Sequence, residues 1–253
     1  MILSIEHISK NFGGVAALSE VSFGVRAGEI VGVIGPNGAG KTTLFNLITG
    51  VFSPSSGAIS FRDKPIIGLR PHKVTKMGIS RTFQNIRLFG HMTALENVMV
   101  GAHCRTHAGL WQGLWRTGIQ RSEEKSIREK SESLLRLVGI AEDQDTPAGS
   151  LPYGKQRRLE IARAMGADPE LLLLDEPTAG MNESETEELR LLIQKIQALG
   201  KTVVLIEHDM HLVMNVCERL VILNFGKKIA EGVPEEIREN KDVIEAYLGR
   251  EED

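Results

Sequence analysis

The sequence predicts an α/β fold in which a mostly parallel sheet carries helices on both faces. The apolar segments "GEIVGVIG", "ELLLLDEP", "TVVLIEH" and "RLVILN" have the length and composition of buried strands. Helical patterns separate them, and strands that alternate with helices indicate a parallel sheet. A long helical stretch over residues 92–166 interrupts this alternation, so we expect it to form an inserted subdomain.

Length and composition indicate a globular chain with no strong preference for nucleic acid. The chain has 253 residues, 25% of them charged, and a formal net charge of −3. Cys104 and Cys217 form no CxxC pair, so neither a disulfide framework nor a zinc site is indicated. No apolar run approaches the roughly 18 residues of a membrane span. The N-terminus lacks the pattern of a secretion signal, so we expect the chain to stay in the cytoplasm.

The N-terminal third is predicted to contain several short strands and two helices. "ILSIEHI", "VSFGV" and "GAISFR" have strand-like patterns, and "KTTLFNLIT" is typical of a helix that ends at Gly50. Residues 71–77 are predicted to be helical and "ISRTFQ" to be extended.

The middle of the chain is predicted to be helical. Thr93 and Glu96 have the spacing of a capping box, and residues 120–138 form a charged amphipathic pattern. Between them, Trp111 and Trp115 lie one helical turn apart, which favours a local packing pair over a surface for a partner protein.

The C-terminal part returns to alternating strands and helices after Pro169. Residues 183–199 are predicted to form a helix, because leucine and isoleucine recur along one face and Gly200 follows.

A glycine-rich segment, "GPNGAGKTT", matches the phosphate-loop pattern of Gly, four residues and Gly-Lys-Thr. Its glycines let the backbone curl so that several N–H groups point at phosphate oxygens, and the following helix adds its positive end. Lys41 is expected to reach the outer phosphates, and Thr42 to offer a hydroxyl to Mg²⁺. The candidate nucleotide-binding residues of this loop are Gly35, Pro36, Asn37, Gly38, Ala39, Gly40, Lys41, Thr42 and Thr43.

A buried strand that ends in two acidic residues complements the phosphate loop. In "LLLLDEP", Asp175 is expected to hold Mg²⁺ directly or through water, and Glu176 to polarise an attacking water. Burying two acids at a strand end is costly unless they are used. Together with the loop, they indicate hydrolysis of a nucleoside triphosphate rather than binding alone.

These motifs and their order resemble the nucleotide-binding subunits of ABC transporters over nearly the whole chain. "RTFQN" lies at the Q-loop position, "LPYGK" at the signature, "TAGMN" at the D-loop and "LIEHD" at the switch histidine. The resemblance implies a P-loop NTPase core with a mostly parallel sheet, an N-terminal antiparallel β-subdomain and an inserted helical subdomain. We expect residues 1–84 and 167–253 to form the ATP-binding core and residues 85–166 the helical insertion.

The resemblance also implies roles for three further residues. Gln84 would sense Mg²⁺ and the γ-phosphate, His208 would contact the γ-phosphate, and Phe12 would stack on adenine. From the residues alone, Gln84 is equally a strand-end amide, His208 a capping or core histidine, and Phe12 a core residue. The implied cofactors are ATP and Mg²⁺, with Thr42, Gln84 and Asp175 as the metal-binding set.

Such ATPases work in pairs, with each ATP held between one phosphate loop and the opposite signature helix. The resemblance therefore implies a second ATPase subunit, whose ATP would be contacted in trans by Gly154 and Lys155. It also implies two separate transmembrane permease subunits, an indirect partnership with a periplasmic or extracellular binding protein, no nucleic acid, and a peripheral location on the cytoplasmic face of the inner membrane.

Several longer segments narrow the resemblance. "GISRTFQNIRLFGHMTALENVMVG", "YGKQRRLEIARA" and "VIEAYLG" are similar to the ATPase subunits of branched-chain amino acid importers. Importers of urea or amides, lipid exporters and soluble ABC proteins remain as alternatives. A small-molecule kinase would not explain the signature helix, Gln84 and His208 in this order.

The signature helix departs from the family pattern. Pro152 replaces a serine whose hydroxyl contacts the partner's ATP, and Lys155 replaces a glutamine. A cation at a helix N-terminus opposes the helix dipole, so we interpret Lys155 either as placed near the partner's ATP or as a solvated lysine. Asn182 replaces the D-loop aspartate and has capping-box spacing with Glu185. We therefore predict two unequal ATP sites.

The helix after "LPYGK" has an apolar and a basic side. Leu159, Ile161, Ala162 and Met165 form the apolar side, and Arg157, Arg158 and Arg163 the basic one.

Overall fold

The computed structural model describes residues 1–103 and 118–248, and for residues 118–123 and 248 it describes the backbone alone. Cys104, Trp111 and Trp115 lie outside the described residues, so the predicted tryptophan pair stays a prediction. Cys217 is buried, and burial raises the pKa of its thiol far above the ordinary value, which makes it unreactive.

The described elements alternate between strands and helices along the chain. The strands are β1 (Leu3–Phe12), β2 (Val15–Val25), β3 (Ile30–Ile34), β4 (Ser56–Phe61), β5 (Lys64–Pro65), β6 (Ile79–Arg81), β7 (Leu171–Asp175), β8 (Thr202–Ile206), β9 (Arg219–Asn224) and β10 (Lys227–Gly232). The helices are α1 (Lys41–Ile48), α2 (Pro71–Met77), α3 (Ala94–His103), α4 (Gly118–Leu137), α5 (Tyr153–Gly166), α6 (Glu183–Ala198), α7 (Met210–Val216), α8 (Pro234–Arg238) and α9 (Lys241–Leu248).

A six-stranded sheet with the order β10-β9-β3-β8-β7-β6 forms the core. Its strands are parallel except for β10, which runs antiparallel to β9. Every residue of β3, β7 and β8 is buried, which explains their apolar runs. The register pairs Asp175 with Ile206, so the residues that follow β7 and β8 emerge at the same edge.

A second sheet, with the order β2-β1-β4-β5, is antiparallel. It shares one buried apolar cluster with α1, in which Phe45 of the helix packs with Leu3 and Phe61 of the strands. The fold class predicted from the sequence is thus confirmed. The first two strands are longer than predicted, because β1 continues to Phe12 and β2 begins at Val15, where the exposed chain forms a hairpin.

The helices α3, α4 and α5 lie between β6 and β7 in the chain and pack against one another. Leu95 of α3, Leu135 of α4 and Leu159 of α5 join the same apolar cluster as Leu174 of the core sheet. The predicted boundaries at residues 85 and 166 stay a prediction.

Two predicted helix starts have the expected hydrogen bonds. The Thr93 hydroxyl accepts from the Glu96 N–H, and the Glu96 carboxylate accepts from the Thr93 N–H. Asn182 and Glu185 form the same capping box at the start of α6. Within the described ranges, every helix is too short or too polar to cross a membrane.

Candidate functional site

The loop between β3 and α1 is tightly curled at glycines. Gly35 and Gly40 have φ angles of 149° and 101°, which are backbone conformations that residues other than glycine rarely adopt. A Cβ atom on Gly35 would lie 2.0 Å from the Leu223 carbonyl oxygen, and one on Gly40 2.6 Å from that of Ala17. The neighbouring strands therefore hold the loop in a shape that requires glycine at both positions.

The Lys41 side chain closes the loop from inside. Its Nζ donates to the Gly35 carbonyl at 2.6 Å and to the Pro36 carbonyl at 3.0 Å, and the residue is buried. The carbonyl contacts place the Lys41 ammonium group inside the loop, at the N-terminus of α1. This arrangement suits an anion such as a phosphate chain.

A pocket of about 270 Å³ lies over the loop. It brings together most of the predicted loop residues with three residues from other parts of the chain. Its lining consists of Ala17, Asn37, Gly38, Ala39, Gly40, Lys41, Thr42, Thr43, Gln84 and Glu176.

Three predicted polar residues meet at one side of this pocket. The Glu176 carboxylate accepts from the Gln84 side-chain amide at 2.8 Å and lies 2.8 Å from His208 Nε2. The two oxygens of Glu176 are therefore contacted by different side chains, Oε2 by Gln84 and Oε1 by His208. Glu176 also has a φ angle of 47°, a strained conformation of the kind that concentrates at functional sites.

Asp175 lies beside Glu176 but faces into the protein, where it is 1% exposed. Its Oδ2 forms an ion pair with Arg81 Nη2 at 2.6 Å, whereas its Oδ1 has no hydrogen-bond partner among the described residues. A buried, unsatisfied carboxylate oxygen fits the hard, oxygen-seeking Mg²⁺ ion, which typically takes one or two carboxylates plus substrate phosphates.

Two residues of the site were missed by the sequence analysis. Arg81 also donates to Asn46 Oδ1 at 2.7 Å, and its position in β6, which pairs with β7, was the available signal. Glu207 accepts from the Thr178 N–H and hydroxyl at 2.8 and 2.7 Å and from the His208 N–H at 2.9 Å. It therefore fixes the backbone after Glu176 relative to His208.

Phe12 lies on the surface at the end of β1, and its interpretation as a core residue is wrong. It is 43% exposed, its ring contacts that of Phe52 edge-on with centroids 5.3 Å apart, and Lys10 Nζ lies 4.9 Å from its centroid. An exposed, supported ring suits stacking on a base, and that role stays a prediction.

The start of α5 corrects one premise about Lys155. Pro152 is the N-cap, and Lys155 Nζ forms an ion pair with Asp143 Oδ2 at 2.7 Å. The anion that balances the Lys155 charge at the positive end of the helix dipole is therefore Asp143 of the same chain. The dipole argument no longer requires a nucleotide phosphate at Lys155. The same ion pair contradicts the alternative interpretation of Lys155 as a solvated lysine without a partner.

Gly154 is buried against the start of α6. A Cβ atom there would lie 2.3 Å from Glu185 Oε1, so glycine permits this close contact. The predicted approach of Gly154 to an ATP of another subunit is not tested by this geometry.

The ABC transporter family model matches residues 18–179, and a model described as branched-chain amino acid ATP-binding cassette transporter matches residues 227–253. The chain is 45% identical over 249 residues to the high-affinity branched-chain amino acid transport ATP-binding protein LivG of Salmonella typhimurium, covering 98% of both chains. The match confirms the resemblance inferred from the motifs.

Solved structures agree with this assignment. The ADP conformation of an ATP-binding cassette of an ABC transporter matches with a TM-score of 0.86 and 32% identity, covering 98% of this chain and 99% of that one. A dimeric bacterial ABC transporter cassette matches with a TM-score of 0.78 and 26% identity over 92% and 98% of the two chains. The chain therefore belongs to the ABC transporter family and is one of its ATP-hydrolysing cassettes.

Proposed function

We propose that this chain hydrolyses ATP to drive the import of branched-chain amino acids, paired with a second ATPase subunit and attached to two separate permeases. The observation that carries the proposal is the contact of Glu176 with both Gln84 and His208 beside the phosphate loop. The substrate class is supported by the match to LivG and by the family model at the C-terminus.

In the proposed site, the phosphates of ATP lie over the N-terminus of α1. Lys41 Nζ turns from the loop carbonyls toward the outer phosphates, and the loop N–H groups bind the phosphate oxygens. Adenine stacks on the exposed ring of Phe12. Thr42, Asp175 and Gln84 would hold Mg²⁺, which neutralises charge on the phosphates when bound.

Glu176 is placed to act on the water that attacks the γ-phosphate. One carboxylate oxygen polarises the water and accepts its proton, while the bond from the γ-phosphorus to the bridging oxygen breaks and leaves ADP and phosphate. Gln84 and His208 each contact one of the two carboxylate oxygens of Glu176. His208 Nε2–H then donates to the γ-phosphate, which ties its position to the presence of ATP.

The start of α5 serves the ATP held by the partner subunit. Gly154 and the neighbouring N–H groups provide an anion-binding helix end, but Pro152 offers neither hydroxyl nor N–H. This chain therefore contributes less to the partner's site than to its own. A periplasmic or extracellular binding protein delivers the substrate to the permeases, and the ATPase pair lies on the cytoplasmic face of the membrane.

The proposal is tested by uptake in cells that lack this chain, complemented with the unaltered chain or with Glu176→Gln. We expect uptake of labelled leucine to be restored by the unaltered chain alone. Restoration of urea or amide uptake instead would assign a different substrate, and unimpaired uptake of all of them in the deletion strain would overturn an import function.

The inequality of the two sites is tested by placing the same Glu→Gln change in this chain and in its partner. We expect the two variants to lose leucine transport to different extents. Equal losses would contradict the inequality.

A further inference from the structure

Two charged residues of α5 are buried inside the molecule. Arg157, predicted to lie on the basic face of α5, is 2% exposed, and Glu160 is 1% exposed. They form an ion pair in which Arg157 Nη1 and Glu160 Oε2 are 3.2 Å apart. The surface position predicted for Arg157 is wrong, because a helical pattern assigns charged residues to the solvent-exposed face and does not show which of them another segment covers.

The Arg157 guanidinium holds the backbone of the Q-loop. It donates to the carbonyl oxygen of Phe83 at 2.6 Å and to that of Gln84, and it lies 3.2 Å from the Tyr153 hydroxyl. Residues 82–90 form an irregular loop, so these bonds, rather than a helix or strand, position Gln84.

Glu160 holds the same loop through its N–H groups. Its Oε1 accepts from the N–H groups of Phe83 and Arg87, each at 3.4 Å, and the next arginine along α5, Arg163, donates to the carbonyl of Arg87. Burial raises the pKa of the Glu160 carboxyl, and the positive charge of Arg157 opposes that rise. The ion pair and the loop bonds thus depend on one another.

Stability alone does not account for this pair. A buried ion pair is commonly no more stabilising than apolar side chains of the same size, because both charges lose their hydration. Arg157 Nε has no hydrogen-bond partner among the described residues, so the pair is not optimised even as an ion pair. What the pair does provide is a fixed geometry between α5 and the Q-loop.

Gln84 is consequently held at both ends. Its backbone carbonyl is bound by Arg157 of α5, and its side chain donates to Glu176 at 2.8 Å. A displacement of Gln84 at the nucleotide pocket must therefore either break the bonds to Arg157 or move α5.

We propose that Arg157 and Glu160 are positioning residues that make Gln84 and α5 move together. Nucleotide bound in this chain's own pocket then shifts the start of α5, the part that contacts the partner's ATP. The inference rests on the proposed function, because it needs ATP in this pocket and a partner at α5.

Hydrogen exchange of the full-length chain, with and without Mg²⁺ and ATP, tests the coupling. The variant is Arg157→Met with Glu160→Gln, which removes both buried charges together and keeps an acceptor for the loop N–H groups. Arg158→Gln is the matched control, because Arg158 is the next residue of α5 and pairs with Glu188 instead. ATP affinity is measured for each chain by calorimetry.

In the unaltered chain and in the control, ATP is expected to change exchange in residues 82–90 and at residues 151–158. In the double variant, exchange of residues 82–90 is expected to rise about tenfold without ATP, since charged hydrogen bonds are lost. ATP binding should persist, because Lys41 and the other phosphate-loop residues that line the pocket are unaltered. The response at residues 151–158 should disappear.

An unchanged response of residues 151–158 in the double variant, with ATP bound, would overturn the coupling alone. Absence of ATP binding by the unaltered chain would overturn the proposed function and this inference with it. Arg157→Lys provides a second test, because lysine keeps the positive charge but lacks the two guanidinium nitrogens that donate to the carbonyls of Phe83 and Gln84. It is expected to retain the fold and to lose part of the response, whereas a full response would count against the role of the guanidinium.

Discussion

Replacing Arg81 by alanine tests the electrostatic arrangement around Asp175. Arg81 Nη2 lies 2.6 Å from Asp175 Oδ2, and the two side chains are 6% and 2% exposed. The other Asp175 oxygen has no hydrogen-bond partner among the described residues. Arg81→Ala therefore leaves a buried carboxylate with no compensating charge.

The magnitude follows from the burial of both partners. Removing one member of a buried ion pair costs about 3–5 kcal/mol, because the remaining charge stays desolvated. Arg62 forms an ion pair of the same length, 2.6 Å, with Glu170, but its side chain is 58% exposed. Arg62→Ala, the matched control, is therefore expected to cost less than about 1 kcal/mol.

Urea unfolding at neutral pH measures both free energies of unfolding. We expect Arg81→Ala to show the larger loss, and Arg81→Met with Asp175→Asn to recover part of it, because no charge is then left unpaired. The deficit of Arg81→Ala should shrink with Mg²⁺ and ATP, since the metal replaces the lost positive charge. A loss no larger than that of Arg62→Ala would refute the reasoning.

Three further variants test separate parts of the structure. Asn182→Ala removes the N-cap of α6 and should lower the free energy of unfolding by about 1 kcal/mol in thermal denaturation, whereas an unchanged value would contradict the capping box. Lys41→Met should keep the fold by circular dichroism yet lose ATP binding in calorimetry, and retained binding would remove Lys41 from the site. Burial raises the pKa of Tyr247 to about 12, while the Gly35 backbone opposes the rise, so its contribution to stability is present below pH 10 and lost as the pH rises towards 12. Tyr247→Phe should flatten the fall in unfolding free energy between those pH values, and an identical fall in both chains would contradict this assignment.

The positions of the parallel strands could be predicted from the sequence. Helices cover both faces of such a sheet, so each strand is fully buried and is a continuous run of apolar residues. β7 and β8 illustrate this, and the phosphate loop could be located because its pattern follows β3 directly. The exposed ends of β1 and β2 carry no such constraint. Their extents were underestimated because pairing between neighbouring strands, rather than composition, determines where they end.

Contacts between distant residues were beyond the sequence reasoning. Arg81 and Asp175 are 94 positions apart, and nothing local indicates their ion pair. Arg157 was predicted at the surface of α5, since a charged helix face is solvated in most helices and only the Q-loop packed on it reverses that expectation. The ion pair of Lys155 with Asp143 was missed as well, because Asp143 ends a short 3-10 helix 12 positions before Lys155 and nothing local indicates the contact.

The central claim is that Glu176, held by Gln84 and His208, drives ATP hydrolysis in this chain's own pocket. The most direct measurement is ATP binding and single-turnover hydrolysis by the assembled transporter with Glu176→Gln in this chain, compared with Glu183→Gln as a control at the exposed start of α6. Glu176→Gln is predicted to retain ATP affinity while hydrolysis at this chain's site falls by about 10²–10⁴-fold. Hydrolysis at that site equal to the control would contradict the account.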